Sequence, residues 1–333
     1  MPHDSVNNNI LVSYSPDEDI KKVFYEVLGD MGQIDFLPPQ KGSDRIKLLE
    51  AADVLIALSF SEKEIDRREI SHLHNLGFIQ LVYAGADNMP FDIIPKHIVL
   101  ASNVGAFADP IAEHVLALVL ALAKNIPAGN RMLGQGQFNR TGFNQELRGG
   151  ICGIIGFGGN GKAIARTMQM MGMKVFGINR SGTTDVPVEF IGRTTDLKKA
   201  LEASDVIVVT APLNRETRDL VGRQELEWMK KDAILINVGR GNVINQKALY
   251  EHLKTFPNFR AGIDTWWSEP ADQGPFKPDY PFFELPNIIG SPHCADHVPG
   301  SMPRATRKAL ENVKNFLDGE KIRGMLNRDD YLD

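Results

Sequence analysis

The chain has 333 residues, is 43% hydrophobic and 24% charged, and carries a formal net charge of −5. That length supports about two globular domains whose cores need no covalent staples. The acidic balance excludes a broad basic surface of the kind that grips nucleic-acid phosphates or an anionic membrane. Two cysteines, Cys152 and Cys294, make no disulfide framework, and no Cys/His cluster has zinc spacing, so no metal is expected. Cys152 lies in an apolar run and reads as packing, whereas Cys294 follows a histidine of interest and is a candidate reactive thiol. Residues 1–9 are polar with no apolar h-region, and the longest apolar stretch, 115–123, is too short to span a bilayer. A cytoplasmic protein is expected.

In chain order, 10–13 reads as a short buried strand, 17–28 as a helix, 33–37 as a strand before Pro38-Pro39, 44–51 as a helix and 54–58 as a strand. Strand 79–83 runs into Ala84-Gly85-Ala86-Asp87, and 99–101 is a further strand. Such alternation implies a parallel sheet. A helix is expected over 109–124, with Asp109 as its N-cap and Pro110 in its first position. The Gly-rich stretch 129–150 reads as loop, because it has few packing residues. A second alternating unit begins at 151. Its expected strands are 151–155, 174–178, 206–210, 233–238, 260–264 and 287–290, and its helices 162–171, 197–203, 224–229 and 246–254. A long helix over 301–317 closes the chain. The fold class is therefore α/β, with two doubly wound parallel-sheet domains.

Gly156-Phe157-Gly158-Gly159-Asn160-Gly161 stands between an expected strand and an expected helix, the context a GxGxxG pattern requires. The first glycine permits a tight turn and the second lets the backbone approach a pyrophosphate. The third lets helix and strand pack closely, and the helix N-terminus faces the anion. A nicotinamide dinucleotide is the expected ligand. A carboxylate about 20 residues further on would bind the ribose 2′-hydroxyl of NAD. This chain has Asn179-Arg180-Ser181 there instead. Asn179 and Ser181 can donate to phosphate oxygens, and the planar fork of Arg180 can pair with a phosphate. NADP is expected; NAD is the alternative if Arg180 is simply a solvated loop residue.

Three later strand ends each carry one polar group: Arg240 in Asn237-Val238-Gly239-Arg240-Gly241, Glu269 in the segment from Asp264 to Pro270, and His293 in Ser291-Pro292-His293. Ligands of open α/β sheets lie beyond the carboxyl ends of strands, so these groups can converge. Reducing a 2-oxo acid needs a cation for the carboxylate and a proton donor for the forming alkoxide. Arg240 can make two parallel hydrogen bonds to a carboxylate, and imidazole titrates near neutral pH. Glu269 beside His293 would raise its pKa and fix its tautomer.

In this order after the glycine turn, these residues resemble the D-isomer-specific 2-hydroxyacid dehydrogenase family. So do Ala84-Gly85-Ala86-Asp87-Asn88, Asn103-Val104-Gly105-Ala106, Ala112-Glu113-His114, Pro212-Leu213 followed by Thr217, and Glu311-Asn312-Val313. The resemblance covers most of the chain, and Asn179-Arg180-Ser181 resembles the branch that reduces glyoxylate and hydroxypyruvate. It implies hydride transfer between NAD(P)H and a small 2-oxo or 2-hydroxy acid, with Arg240, Glu269 and His293 as the catalytic set. Backbone N–H groups of Ala84, Gly85 and Ala86 would hold the substrate carboxylate. Thr210, Ala211, Pro212, Thr217, Val238, Gly239, Asp264 and Ala295 would line the cofactor, with Asp264 near the nicotinamide amide. A homodimer with 109–150 near its interface is implied. So is a Rossmann cofactor domain, 104–294, inserted in a flavodoxin-like substrate domain, 1–103 and 295–333.

Two other readings share this fold. In formate-oxidising relatives the histidine pairs with an amide, where this chain has Glu269; phosphite oxidation belongs with them. An NAD(P)-sensing corepressor keeps the same three residues, but no basic patch or low-complexity tail accompanies them here. After the histidine the family commonly has a small or apolar residue, then Gly or Ala and an aromatic; here Cys294-Ala295-Asp296-His297 stand instead. That polarity leaves the identity of the acid open, and 268–286, rich in proline and aromatics, is expected to help shape the pocket. His72, His74, His97, His252 and His297 match no motif and read as surface or structural. His114 reads as a packing or interdomain residue, and Trp266 and Trp267 as buried or interface aromatics.

Overall fold

The computed structural model describes residues 8–270 and 274–332. Most of the polar N-terminal stretch, 1–7, and three residues of the proline- and aromatic-rich segment, 271–273, lie outside the described residues. The chain divides into two compact units: Met1–Ala106 with Val298–Asp333, and Phe107–His297.

The first unit is built on five parallel strands, β1 (Asn8–Val12), β2 (Gly32–Phe36), β3 (Val54–Ala57), β4 (Phe78–Leu81) and β5 (Val99–Ala101), in the order β2-β1-β3-β4-β5. Every residue of β3 and β4 is buried. β3 is wholly apolar and β4 is apolar except for Gln80, whose amide oxygen accepts from Asn312 Nδ2, as a sheet covered on both faces requires. Helix Glu18–Leu28 starts where the Asp17 carboxylate accepts the N–H of Ile20, and it buries Ile20, Val23, Phe24 and Leu28. The closing helix Ser301–Leu317 packs on that helix and on β4, with Phe316 stacked on Phe78 at 4.4 Å between ring centres. A short helix, Arg67–Ile70, has no apolar periodicity to announce it; a reciprocal cap between Asp66 and Glu69 sets it.

The second unit has seven parallel strands: β6 (Ile151–Ile155), β7 (Lys174–Ile178), β8 (Phe190–Gly192), β9 (Val206–Val209), β10 (Ile234–Asn237), β11 (Arg260–Ile263) and β12 (Ile288–Gly290). Their order is β12-β11-β10-β9-β6-β7-β8. The doubly wound architecture expected from the alternation is the one observed. Strand β8 was not expected: it is three residues at the sheet edge, too short for a period to show. The order reverses at β6, so the carboxyl ends of β6 and β9 flank a topological switch point, where such sheets bind ligands.

Two local expectations need correction. Helix Ala108–Ala123 begins one residue before Asp109, so Asp109 and Pro110 lie within its first turn; Phe107 is the N-cap and no side chain caps it. The stretch read as loop from 129 contains part of a helix, Ile126–Gly134. Asn125, in the left-handed conformation, breaks the chain out of the preceding helix, and Pro127 suits the new first turn. None of its residues is buried, so no core periodicity marked it. Among the described residues no single helix is long and apolar enough to cross a membrane.

Candidate active site

Strand β6 delivers the glycine turn to the switch point. Gly156 has φ +94°, and a Cβ there would lie 2.4 Å from the backbone nitrogen of Ala211. Only glycine fits both the conformation and the space. A Cβ on Gly161 would lie 2.8 Å from the Gly156 oxygen, so this glycine sets how closely helix Gly159–Met170 sits on β6. At Gly158 the same construction meets nothing within 4 Å. The turn is thus closed toward the protein at its first and third glycines and open at the second, with Gly159 and Asn160 in the first helical turn. A phosphate approaching a bare helix N-terminus fits that shape. Across the switch point, Thr210 Oγ1 donates to the Gly156 oxygen at 2.7 Å, tying β9 to the turn.

Beyond β7, Asn179 organises the next loop. Its Oδ1 accepts Gly182 N–H at 2.7 Å and Ser181 Oγ–H at 3.2 Å, and its Nδ2 donates to the Thr183 oxygen at 2.9 Å. Arg180 and Ser181 are exposed on this loop, Arg180 facing Glu216 at 3.4 Å, and Arg193 Nε donates to the Ser181 oxygen at 3.3 Å. Beyond β9, Thr217 Oγ1 donates to the Pro212 oxygen at 2.6 Å, closing the 212–217 turn.

Arg240, Glu269 and His293 follow β10, β11 and β12, which are neighbours in the sheet. Buried Asn237 holds the first of these loops: its Nδ2 donates to the Arg240 oxygen at 3.0 Å and its Oδ1 accepts Gly239 N–H at 3.1 Å. Val238 N–H donates to the Val209 oxygen at 3.1 Å. Glu269 Oε1 accepts the N–H of Trp266 at 2.8 Å, and Oε2 lies 2.8 Å from His293 Nδ1. An ionised carboxylate only accepts, so Nδ1 carries the proton and Nε2 is the nitrogen left for exchange. The hydrogen bond with Glu269 raises the His293 pKa above its usual value; burial opposes it, the Glu269 charge reinforces it and the Arg240 charge works against it. Burial pushes the Glu269 carboxyl upward. The hydrogen bonds from His293 and the Trp266 amide, with the charges of His293 and Arg240, outweigh that and hold it below its usual range.

Asp264 lies beneath this loop and is 1% exposed. Its backbone oxygen accepts His293 N–H at 2.9 Å, while its carboxylate accepts the N–H groups of Cys294 at 3.1 Å and Ala295 at 3.3 Å. His293 has φ +50°, a left-handed conformation that costs a non-glycine residue about 1–3 kcal/mol and persists only where surrounding bonds impose it. Ser291 Oγ donates to Asp264 Oδ1 at 2.6 Å, and His114 Nε2 lies 2.8 Å from Ser291 Oγ. Ser291 and Asn237 carried no role in the sequence reading. The signal available was a polar residue at the end of an otherwise apolar strand. Cys294 is half-buried, and burial raises its thiol pKa, which works against a reactive thiolate; Cys152 is buried and pushed up to about 12 by burial. Trp266 is buried, donates its indole N–H to the Ser291 oxygen at 3.0 Å and contacts Phe276 and Phe283. Ala84, Gly85 and Ala86 belong to the first unit, just past the end of β4.

A doubly wound sheet with a glycine turn at its switch point defines a dinucleotide-binding α/β protein. Within that class the chain belongs to the D-isomer-specific 2-hydroxyacid dehydrogenase family: residues 116–295, more than half of its length, match the family model for the NAD-binding domain. A D-3-phosphoglycerate dehydrogenase of Methanocaldococcus jannaschii is 29% identical over 324 residues, 96% of this chain and 59% of that one. The chain spans about half the length of the phosphoglycerate dehydrogenases it matches, 59% in this case and 50% in another. A glyoxylate reductase of Aeropyrum pernix is 29% identical over 287 residues, covering 84% of both chains. A Pyrobaculum aerophilum structure, provisionally called a formate dehydrogenase, superposes with a TM-score of 0.82 at 27% identity, covering 97% of this chain and 99% of that one.

Proposed function

We propose that this chain is an NADP-preferring reductase of small 2-oxo acids of the glyoxylate and hydroxypyruvate type, acting through Arg240, Glu269 and His293. The observation that carries this reading is the 2.8 Å hydrogen bond between Glu269 Oε2 and His293 Nδ1, which presents Nε2 as a proton donor. When bound, the nicotinamide dinucleotide supplies the hydride. Gly158, Gly159 and Asn160 would hold its pyrophosphate, where the turn is open at Gly158. Asn179, Arg180 and Ser181 would hold the 2′-phosphate, since no carboxylate among those three repels it. Thr210, Ala211, Pro212 and Thr217, which follow β9, and Val238, Gly239, Asp264 and Ala295, which follow β10, β11 and β12, would border the cofactor. Arg240 pairs with the substrate carboxylate, and protonated His293 gives its Nε2 proton to the oxygen that gains negative charge. Glu269 keeps the imidazole charged and holds its tautomer.

Initial rates with NADH and NADPH against a panel of 2-oxo acids test the reading. The highest kcat/KM is expected for NADPH with glyoxylate or hydroxypyruvate, and Arg180→Gln should depress kcat/KM for NADPH more than for NADH. Folded, cofactor-binding protein that turns over no acid in the panel would refute the reaction. A higher kcat/KM with NADH would refute the cofactor preference.

A further inference from the structure

Three side chains outside the proposed catalytic set form a hydrogen-bonded chain, half-buried at His114 and Ser291 and buried at Asp264. His114 comes from helix Ala108–Ala123, Ser291 follows β12 and Asp264 follows β11. Chemistry fixes the direction of both bonds. A carboxylate only accepts, so the Ser291 hydroxyl commits its single proton to Asp264 Oδ1, 2.6 Å away. The Ser291 oxygen must then accept, and His114 Nε2, 2.8 Å away, must donate. The same Nε2 lies 3.5 Å from Asp264 Oδ1. A serine hydroxyl otherwise turns about its Cβ–Oγ bond; here His114 stops that rotor, and Ser291 stops the carboxylate.

The carboxylate so fixed accepts the N–H groups of Cys294 and Ala295, and the main-chain oxygen of the same residue accepts that of His293. These three consecutive donors belong to the segment in which His293 takes its left-handed φ of +50°. A residue in that region stays there only where its surroundings over-determine it. The direction of Cα–Cβ at His293 depends on this backbone, and so does the 2.8 Å contact of its ring with Glu269.

We infer that His114 and Ser291 are positioning residues that lock Asp264, and through it the 293–295 backbone, so that the His293 ring meets Glu269. The inference rests on reading His293 as the proton donor. Among the described residues the hydrogen bond of the His293 ring is to Glu269, not to His114 or Ser291, and the charged groups that act on that ring are Glu269, Arg240 and Asp264.

Four variants of the full chain test it: Ser291→Ala, Ser291→Thr, His114→Phe and His114→Gln. The alanine and phenylalanine variants break the chain, while threonine keeps the hydroxyl and glutamine keeps a donor. Misplacing a reacting group by about 1 Å costs about 100-fold, so kcat should fall about 10- to 100-fold in S291A and H114F with KM changed less than about threefold. S291T and H114Q should return to within about threefold of wild type. NMR titration of imidazole-labelled protein, with the His293 signal identified by its loss in H293N, reads the geometry without turnover. His293 should titrate above the usual imidazole value in wild type, S291T and H114Q, and move down toward it in S291A and H114F. An unshifted His293 titration with wild-type kcat in S291A overturns the inference, as does failure of S291T to rescue in protein that melts like wild type. If wild type turns over no acid in the panel, the proposed reaction fails and the histidine titration alone decides this point.

Discussion

Replacing Glu269 by Gln isolates the charge of the Glu269–His293 pair. Glutamine can still accept the Nδ1 proton through its amide oxygen, so the tautomer survives while the negative charge is lost. Of the two hydrogen bonds Glu269 makes among the described residues, the one from the Trp266 amide is unchanged by protonation of His293 and contributes no difference between charge states. The other, at 2.8 Å, faces a partner that is charged in one state and neutral in the other. Hydrogen bonds to charged groups are worth about 1.5–3 kcal/mol. The Glu269 and His293 side chains are 35% and 41% exposed, so water screens part of that and the lower end applies. About 1.5–2 kcal/mol corresponds to about 10- to 30-fold. At about pH 8 an unpaired imidazole is mostly neutral, so E269Q should lose that factor in kcat/KM for reduction. At about pH 5.5 imidazole is protonated without help, and E269Q should come within about threefold of wild type. The direction follows from the raised His293 pKa: proton-donating enzyme is lost as pH rises through it, and E269Q moves that loss to lower pH. Initial rates of 2-oxo acid reduction across the pH range measure this. An equal deficit at both pH values, or none, would refute the assigned role of the carboxylate.

Two further outcomes follow from geometry outside that pair. A Cβ on Gly241 would lie 2.3 Å from the carbonyl carbon of Trp266 and 2.4 Å from its oxygen, main-chain atoms that cannot turn aside. Gly241→Ala should displace the Arg240 loop and lower kcat/KM about 100-fold; because Val238 and Gly239 precede Arg240 on that loop, the dinucleotide Kd read by fluorescence titration should weaken as well, and kcat/KM within about threefold of wild type would refute the reasoning. His252 is buried between Phe256 and Phe259, its Nε2 has no partner among the described residues, and burial lowers its pKa to about 4. Unfolded histidine titrates near about 6.5, so as pH falls the unfolded chain takes up the proton first, and stability drains away between about pH 6.5 and 4 by about 3 kcal/mol. Denaturant melts at neutral pH and at about pH 4.5 should show wild type losing about 2–3 kcal/mol more than His252→Leu; identical losses would show that the ring is accessible to solvent.

Strand positions were legible because a strand buried on both faces is an apolar run, and β6, β7 and β5 fall where those runs do. Strand β8 and helix Arg67–Ile70 were not, because three or four residues carry no period. The helix Ile126–Gly134 escaped for a different reason: nothing in it is buried, so local propensity and a proline made it without a core-facing stripe.

The glycine turn is a local object, and its chemistry can be read from six consecutive residues. The sequence also put Arg240, Glu269 and His293 at three separate strand ends, but no local rule says that such ends meet. Glu269 and His293 are 24 residues apart, Asp264 and Ser291 27, and His114 and Ser291 177. Those contacts exist because β10, β11 and β12 are adjacent in one sheet and share a register, and because helix Ala108–Ala123 packs on it. Strand order and register are decided by how whole faces bury one another, and so is the left-handed turn at His293 that rests on Asp264.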